Sequence, residues 1–196
     1  MYENQYSKIV DALVSDGYIV LDNLFTKELL DGLLAKAEEE YSYKQAGISS
    51  SATKQLDSSR RRDKIRWLDE DNGYESLYLQ FARSFQEYMN QTLYLGLRYY
   101  EAHFALYEEG DFYEKHLDAF QHSKNRLVTT VLYLNEDWKS ADGGTLVLYD
   151  EAGEKLEELL PTMGKMVIFM SEKFPHEVLP SHKKRHSIAG WFRIDR

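Results

Sequence analysis

The sequence predicts an α+β protein in which N-terminal helices support a sandwich or jelly roll of short strands. Helical spacing of apolar residues dominates before residue 95, and short β-type runs separated by turn residues dominate after it. Of the 196 residues, 43% are hydrophobic and 14% are aromatic, which provides a core and excludes intrinsic disorder. We therefore expect one domain over residues 1–196, with helical support and a lid loop in 1–95 and the strand core in 96–196.

Three segments of the N-terminal half place apolar residues on one helical face. Gly17 is positioned to stop the first helix, and Thr26 can cap the second. Residues 18–21 between them are typical of a short strand, and the polar residues 46–62 predict a mobile loop. The apolar positions of the three helices are Ile9, Val10, Leu13 and Val14; Leu29, Leu30, Leu33, Leu34 and Ala37; and Phe81, Phe85, Met89 and Leu93.

Short runs rich in Val, Ile, Leu, Tyr and Phe fill the C-terminal half, and glycine-containing turns separate them. Many short strands at such intervals are typical of a sandwich or jelly roll. The helices must bury their apolar faces, and the strand layer is the available partner. The predicted strands are residues 98–107, 127–134, 145–149, 165–170 and 187–194.

Charge and cysteine content limit the possible chemistry. The chain has 24 basic and 33 acidic residues, a formal charge of −9, which argues against general nucleic-acid binding. It contains no cysteine, so disulfides, thiolate catalysis and cysteine-ligated metals are excluded, and any metal must be held by His, Asp, Glu or carbonyl oxygen. No apolar run has the length of a membrane span, and residues 1–5 lack the features of a signal peptide. We expect no membrane partner and a cytoplasmic location.

Three residues could form a metal site. His116 and Asp118 stand two apart, so on a strand both side chains would project from one face. His176 follows the predicted strand 165–170 and could supply a third ligand. Two imidazoles and one carboxylate form the facial triad of non-haem Fe(II) oxygenases. The alternative is a surface histidine beside a solvated aspartate, with His176 as a hydrogen-bonded loop residue.

Arg185 stands where the basic run Lys183-Lys184-Arg185 meets an apolar strand. It can therefore point inward while the two lysines remain solvated. A facial-triad iron needs an electron-donating co-substrate, and the distal carboxylate of 2-oxoglutarate would need a fixed cation. Arginine offers a bidentate fork for that carboxylate. The alternative is that Arg185 is one more surface charge.

Several motifs beyond these residues form a joint pattern over roughly residues 18–196. They are Asp57-Ser58-Ser59 with Arg62-Asp63-Lys64-Ile65 and Trp67, Tyr133-Leu134-Asn135 with Asp137-Trp138, Gly143-Gly144-Thr145-Leu146, Pro175-His176-Glu177-Val178, and Arg185 with Trp191. The pattern resembles the prolyl 4-hydroxylase branch of the iron- and 2-oxoglutarate-dependent dioxygenases. It is most similar to the hypoxia-inducible-factor prolyl hydroxylases and their bacterial relatives.

The resemblance implies a double-stranded β-helix, a cupin-like jelly roll, backed by N-terminal helices. It implies that His116, Asp118 and His176 are the Fe(II) ligands at the catalytic centre. It also implies that Arg185 binds 2-oxoglutarate.

Two tyrosines complete the co-substrate site that the resemblance implies. Tyr133 would bond the same distal carboxylate as Arg185, and Tyr107 would lie near the metal-chelating end of 2-oxoglutarate. The implied reaction consumes 2-oxoglutarate and O2, releases succinate and CO2, and hydroxylates a prolyl residue of a protein. Ascorbate could serve as a reductant, and some relatives act on components of translation.

The resemblance also implies a substrate lid around the basic run 60–66, with Arg62, Asp63 and Arg126 as lid residues. In the resembling family the counterpart of Asp63 pairs with an arginine that matches Arg126. We therefore expect an Asp63–Arg126 ion pair that ties the lid to a core strand.

Other functions remain open at the level of sequence. One is a nucleic-acid or small-molecule oxygenase of the same superfamily, which the basic run would suit. Trp191 replaces the second arginine of the nucleic-acid demethylases, which disfavours that alternative. A non-catalytic, cupin-like module that binds a metal or small ligand is the other alternative.

Overall fold

Three helices and thirteen strands make up the computed structural model, which describes residues 2–39, 42–50, 53–55, 59–118 and 125–195. The helices are α1 (Glu3–Ser15), α2 (Lys27–Ala37) and α3 (Gly73–Leu93). The strands are β1 (Tyr18–Leu21), β2 (Lys44–Gln45), β3 (Ile48–Ser50), β4 (Thr53–Gln55), β5 (Lys64–Trp67), β6 (Tyr99–Tyr107), β7 (Tyr113–His116), β8 (Arg126–Tyr133), β9 (Leu146–Tyr149), β10 (Lys155–Leu159), β11 (Met166–Met170), β12 (His176–Val178) and β13 (Arg185–Arg193).

Two antiparallel sheets form the body of the strand region. The major sheet has seven strands in the order β1-β11-β8-β13-β6-β5-β2, and the minor sheet has four in the order β10-β9-β12-β7. Strands β3 and β4 form a separate hairpin. The order shows that most neighbours are distant in sequence, as a jelly roll requires. The predicted α+β class is confirmed.

The major sheet is buried on both faces, because alternate side chains of each strand enter different cores. Phe104 and Leu132 pack with the helices, whereas Ala105, Val131 and Tyr133 pack toward the minor sheet. Helices α2 and α3 lie against β6, and α2 also contacts β13. The helices therefore close one face of the major sheet and leave the other face to the site between the sheets.

The predicted helices are confirmed, with one exception in their apolar faces. Gly17 adopts a φ of +82° directly after α1, and its N–H donates to the Ala12 carbonyl. The Thr26 hydroxyl accepts from the Leu29 N–H at 3.4 Å and caps α2. Val14, which the pattern assigned to a buried face, is 67% exposed, whereas Leu13 beside it is buried.

The five predicted strands are present, with ends shifted by one or two residues. The strands β7, β10 and β12 were missed, because their sequences Tyr113–His116, Lys155–Leu159 and His176–Val178 are short and largely polar. The prediction of a loop over 46–62 is wrong for residues 48–50 and 53–55, where β3 and β4 pair. Pairing between the strand backbones forms these segments.

Residues 60–67, here called the clasp, run from the minor sheet to the major sheet. Arg61 forms an antiparallel bridge with Tyr113 of β7, and β5 then pairs with β6. Asp63 lies at the crossing point and is fully buried. The clasp therefore joins the two sheets on one side of the space between them.

A buried ion pair joins the clasp to the helix layer. The Arg66 guanidinium lies 3.1 Å from the Glu75 carboxylate of α3, and it also donates to the Lys36 carbonyl at 2.8 Å. The second Glu75 oxygen accepts from the Asp69 N–H at 2.6 Å.

In the described part of the chain, no helix is both long and apolar enough to cross a membrane.

Removing Glu75 should destabilise the protein strongly, because Arg66 would keep a buried charge without a partner. We expect Glu75→Ala to lower the free energy of unfolding by about 3 kcal/mol, as measured by urea denaturation. Glu87→Ala, an exposed acid on the same helix, is the matched control and should have little effect. Equal stability of the two variants would show that the pair contributes nothing.

Candidate active site

A cavity of about 280 Å³ lies between the two sheets. Its floor is the inner face of the major sheet, where paired strands bring side chains into register. Ser187 lies opposite Ala105, and Ala189 lies opposite His103. The small side chains of Ala105, Ser187 and Ala189 leave space open in this floor. The residues around it include His116, Leu117, Asp118, Leu146, His176 and Val178.

The structure brings His116, Asp118 and His176 together at one side of this cavity. The Nε2 atoms of both histidines lie 3.6 Å from the Asp118 carboxylate, one from each of its oxygens. One potential ligand atom from each residue lies within 4.8 Å of the other two. In the described residues this is the one His, Asp and Glu cluster that could hold a metal ion.

Local structure explains how these three residues meet. His116 ends β7 and lies directly opposite His176 of β12 in the strand register. Asp118 lies beyond the end of β7, so it reaches the site through a bend and not along one strand face as predicted. Its Oδ2 accepts from the Thr129 hydroxyl of β8 at 2.8 Å, which anchors the carboxylate to the major sheet.

Both histidines present the nitrogen that a metal needs. The Nδ1 atom of His116 lies 2.7 Å from the Glu114 carbonyl, and that of His176 lies 3.0 Å from the Phe174 carbonyl. A carbonyl can only accept, so each Nδ1 carries the proton and each Nε2 offers a lone pair. This backbone bond is the arrangement that orients metal-ligating imidazoles.

The protonation states suit a divalent cation. Burial would raise the pKa of Asp118, but the adjacent His176 and His116 outweigh it and hold that pKa well below its usual range. Burial, together with His116, lowers the pKa of His176 to about 4. At neutral pH the site therefore offers a carboxylate and a neutral imidazole, which fit Fe(II) and other divalent transition metals.

Arg185, the first residue of β13, is buried in the wall of the same cavity. Its Nε donates to the Gly144 carbonyl at 2.8 Å, and its Nη1 donates to the Ser187 hydroxyl at 3.2 Å. The Nη2 atom is buried without a partner, and no carboxylate of the described residues pairs with the guanidinium. A buried cation lacking a counter-charge is a site for an anionic ligand.

Gly144 lies against Arg185 so closely that no side chain fits there. Its φ is +64°, and a Cβ atom at this position would lie 2.8 Å from Arg185 Cδ. The Gly143-Gly144 pair predicted as a turn therefore also makes room for the arginine.

Two tyrosines pack against Arg185. The Arg185 guanidinium lies 4.8 Å from the Tyr107 ring centre and 5.2 Å from that of Tyr133. The Tyr133 hydroxyl is buried without a partner in the described part of the chain, and burial raises the pKa of both phenols, so both remain neutral donors. Tyr107 thus lines the same cavity as Arg185 and the metal cluster, and its place near the metal-chelating end of 2-oxoglutarate stays a prediction.

The structure does not form the predicted Asp63–Arg126 ion pair. Asp63 accepts two bonds from Arg61, at 2.6 and 2.9 Å. Arg126 instead bonds Glu101, with a shortest distance of 2.7 Å, and its guanidinium lies 3.9 Å from the Trp191 ring. That expectation was wrong because each charge has a nearer partner of opposite sign.

Arg62, the third predicted lid residue, is exposed and lies over the Phe112 ring at 4.9 Å. Of Arg61 and Arg62, it is Arg61 that lines the cavity. The sequence could not distinguish the two arginines, because the one that lines the cavity is the one whose side chain faces inward from the clasp.

Sequence analysis missed an aromatic wall beside the metal cluster. His103 lies between Trp67 and Trp191, with ring centres 5.3 Å away on each side. Tyr113 stacks on His116 at 3.6 Å with an interplanar angle of 15°. The alternation of Glu101, His103, Ala105 and Tyr107 along β6 was the signal that could have found part of this wall.

Comparison with known proteins points to one superfamily. A model of the "2OG-Fe(II) oxygenase superfamily" matches residues 102–193. The hypoxia-inducible factor prolyl hydroxylase of Caenorhabditis elegans is 39% identical over 85 residues, which are 42% of this chain and 12% of that protein. The chain spans only 12% to 45% of the length of the curated relatives it matches.

Two solved structures are similar over nearly the whole chain. A prolyl-4-hydroxylase of Pseudomonas putida is 34% identical with a TM-score of 0.87, and the match covers 97% of this chain and 100% of that one. A Trichoplax adhaerens prolyl hydroxylase, solved with a hypoxia-inducible factor peptide fragment, is 24% identical with a TM-score of 0.87, covering 97% and 90%. The second likeness establishes the fold alone.

The neutral His103 in the cavity wall makes stability depend on pH. Burial, with the Arg61 charge, lowers the pKa of His103 from 6.5 to about 4. Between these values the unfolded chain binds a proton at His103 and the folded protein does not, so acid favours unfolding. We expect the free energy of unfolding of metal-free protein to fall between pH 6.5 and 4, with His103 contributing about 3 kcal/mol.

His103→Leu should make this dependence shallower in urea denaturation measured across the same pH range. His182→Leu, which removes an exposed imidazole, is the matched control. If His103→Leu and the wild type show the same slope, the assignment of a neutral buried His103 fails.

Proposed function

Because the chain belongs to the prolyl 4-hydroxylase family of the 2-oxoglutarate- and Fe(II)-dependent oxygenases, we propose that it hydroxylates a prolyl residue of a polypeptide. The reaction consumes 2-oxoglutarate and O2 and releases succinate and CO2. The observation that supports this most directly is the pairing of two sites in one cavity. A cluster of two imidazoles and a carboxylate lines the same cavity as a buried arginine that pairs with no carboxylate of the described residues.

His116, Asp118 and His176 would hold the Fe(II) ion. Their orientation is set by backbone carbonyls and by Thr129, so the ligand atoms need no rearrangement to converge. Fe(II), when bound there with 2-oxoglutarate, supplies the O2-dependent oxidation of a C–H bond. The protein contributes ligation, orientation and a largely buried cavity that limits access of water.

Arg185 would bind the distal carboxylate of 2-oxoglutarate through its free Nη2. The Tyr133 hydroxyl, which has no hydrogen-bond partner among the described residues, is a second donor for the same group. Gly144 and Ser187 fix the guanidinium, so its position is set before the ligand arrives. Small residues on the floor, Ala105 and Ala189, leave room for the carbon chain of the co-substrate.

The substrate we propose is a polypeptide with a target proline. The cavity mouth carries Trp67, which is half exposed, and Leu117, which is 40% exposed, so an apolar ring can pack there. The Trichoplax adhaerens relative was solved with a peptide fragment.

We further propose that the polypeptide substrate is a component of translation. We also propose that the reaction takes place in the cytoplasm and that ascorbate is its reductant.

The basic run supports a protein substrate over nucleic acid, because its arginines are engaged within the chain. Arg60 pairs with Glu114 at 3.0 Å, and Arg61 pairs with Asp63. Arg62 lies over Phe112. Nucleic-acid binding depends on basic groups that are available to phosphates.

Asp118→Ala should abolish succinate formation, because the metal cluster loses its only carboxylate. The measurement is succinate released on incubation with Fe(II), 2-oxoglutarate and O2, together with mass spectrometry of the host proteome for proline residues carrying an added oxygen. Asp11→Ala, an exposed acid on α1, is the control and should retain full turnover. Turnover at the wild-type rate in Asp118→Ala would refute the metal assignment, and a wild type that forms no succinate would refute the function.

Arg185→Lys should raise the KM for 2-oxoglutarate by about 10-fold, because lysine keeps the charge but lacks the bidentate fork. Tyr133→Phe should have a milder effect, since one neutral hydrogen bond contributes about 0.5–1.5 kcal/mol. Lys183→Ala, in the same basic run, is the control, because Lys183 is exposed and pairs with Asp142. A larger effect from Lys183→Ala than from Arg185→Lys would mean that the wrong cation has been assigned.

A further inference from the structure

The two histidines of the metal cluster are held in very different ways. The His176 side chain is 6% exposed, and its ring packs edge-on against Phe169 of the core at 4.9 Å. The His116 side chain is 15% exposed and lies at the end of β7, the last strand of the minor sheet. His176 is therefore fixed by the core, whereas His116 must be fixed by whatever covers the edge of the minor sheet.

Tyr113 provides that cover. Its ring stacks on the His116 ring at 3.6 Å and 15°, whereas the ring of His176 is tilted by 56° at 4.3 Å. The bond from His116 Nδ1 to the Glu114 carbonyl fixes the tautomer, but one hydrogen bond leaves the ring free to tilt about it. An imidazole that ligates a divalent cation is electron-poor, so the electron-rich face of tyrosine favours the bound form.

Tyr113 is itself held by the clasp. The Arg61 guanidinium lies 4.5 Å from the Tyr113 ring centre, and the backbones of the two residues form an antiparallel bridge. Asp63, fully buried, fixes the guanidinium with bonds of 2.6 and 2.9 Å. A planar guanidinium fixed by a bidentate carboxylate is a rigid surface for an aromatic ring.

We infer that Tyr113, held by Arg61 and Asp63, positions His116 for metal binding, so that the clasp sets the affinity of the metal site. Tyr113 is a positioning residue, because its contact is with the ligand and not with the metal. The inference rests on the proposed metal site at His116, Asp118 and His176. It assigns to the clasp a role in metal binding that is separate from contact with a polypeptide substrate.

The test is the affinity of the metal-free protein for Mn(II) alone, measured from the electron paramagnetic resonance signal of the free ion. Tyr113→Leu keeps an apolar side chain but removes the stacked ring. It should raise the Kd for Mn(II) by about 10-fold, because removing a residue that orients a metal ligand weakens metal binding to about that extent. Tyr113→Phe keeps the ring and should retain the wild-type Kd. Far-UV circular dichroism must show both variants folded at the assay temperature.

A second pair of variants tests the clasp and remains informative if Tyr113→Leu does not fold. Arg61→Lys keeps the charge but loses the planar fork, and it should also weaken Mn(II) binding. Arg83→Ala, which removes an exposed arginine of α3 outside the clasp, is the matched control and should bind as the wild type does.

The possible outcomes distinguish failure of this inference from failure of the proposed metal site on which it rests. If His116→Ala binds Mn(II) as tightly as the wild type, the proposed metal site is wrong. If His116→Ala loses binding while folded Tyr113→Leu and Arg61→Lys keep the wild-type Kd, the metal site stands and the inference is overturned. A Tyr113→Leu variant with a lower melting temperature and an unchanged Kd would make Tyr113 a purely structural residue.

Discussion

The register between β7 and β12 is the constraint on which the candidate active site depends. It places His116 directly opposite His176, so two imidazoles meet at one point of the minor sheet. The bend after β7 then lets Asp118 cross to Thr129 of the major sheet. A shift of one residue in this register would turn one histidine to the opposite face of the sheet and disperse the cluster. The jelly roll matters to this site because it brings the two sheets together at this edge.

Buried charges distinguish the structural parts of the protein from the binding part. Arg66 is paired with Glu75, Arg61 with Asp63, and Arg126 with Glu101. Each pair satisfies a charge that burial would otherwise make costly. Arg185 is the exception among these buried or half-buried arginines, because its bonds go to a carbonyl and a hydroxyl only. The missing counter-charge is best explained by a ligand that brings its own carboxylate.

The lid shows where reasoning from a linear pattern reaches its limit. The resemblance implied that Asp63 would form an ion pair, and it does. Its partner, however, is Arg61 and not Arg126, because the clasp turns Arg61 inward beside Asp63 while Glu101 of β6 takes Arg126. Three arginines in a row are equivalent in a sequence. Only the path of the backbone decides which one enters the cavity.

The sequence by itself determined the fold class, the three helices and the five longer strands, because these features depend on local periodicity. The residues of the candidate metal and co-substrate sites were predicted from residue types, such as His116, Asp118 and His176, together with the resemblance to a known family. The tertiary structure alone decided the short polar strands, the wall around His103, the stack of Tyr113 on His116 and the pairing of the clasp arginines. The physical reason is that these contacts join residues by strand register and side-chain direction across distant segments, and neither leaves a periodic signal in the sequence.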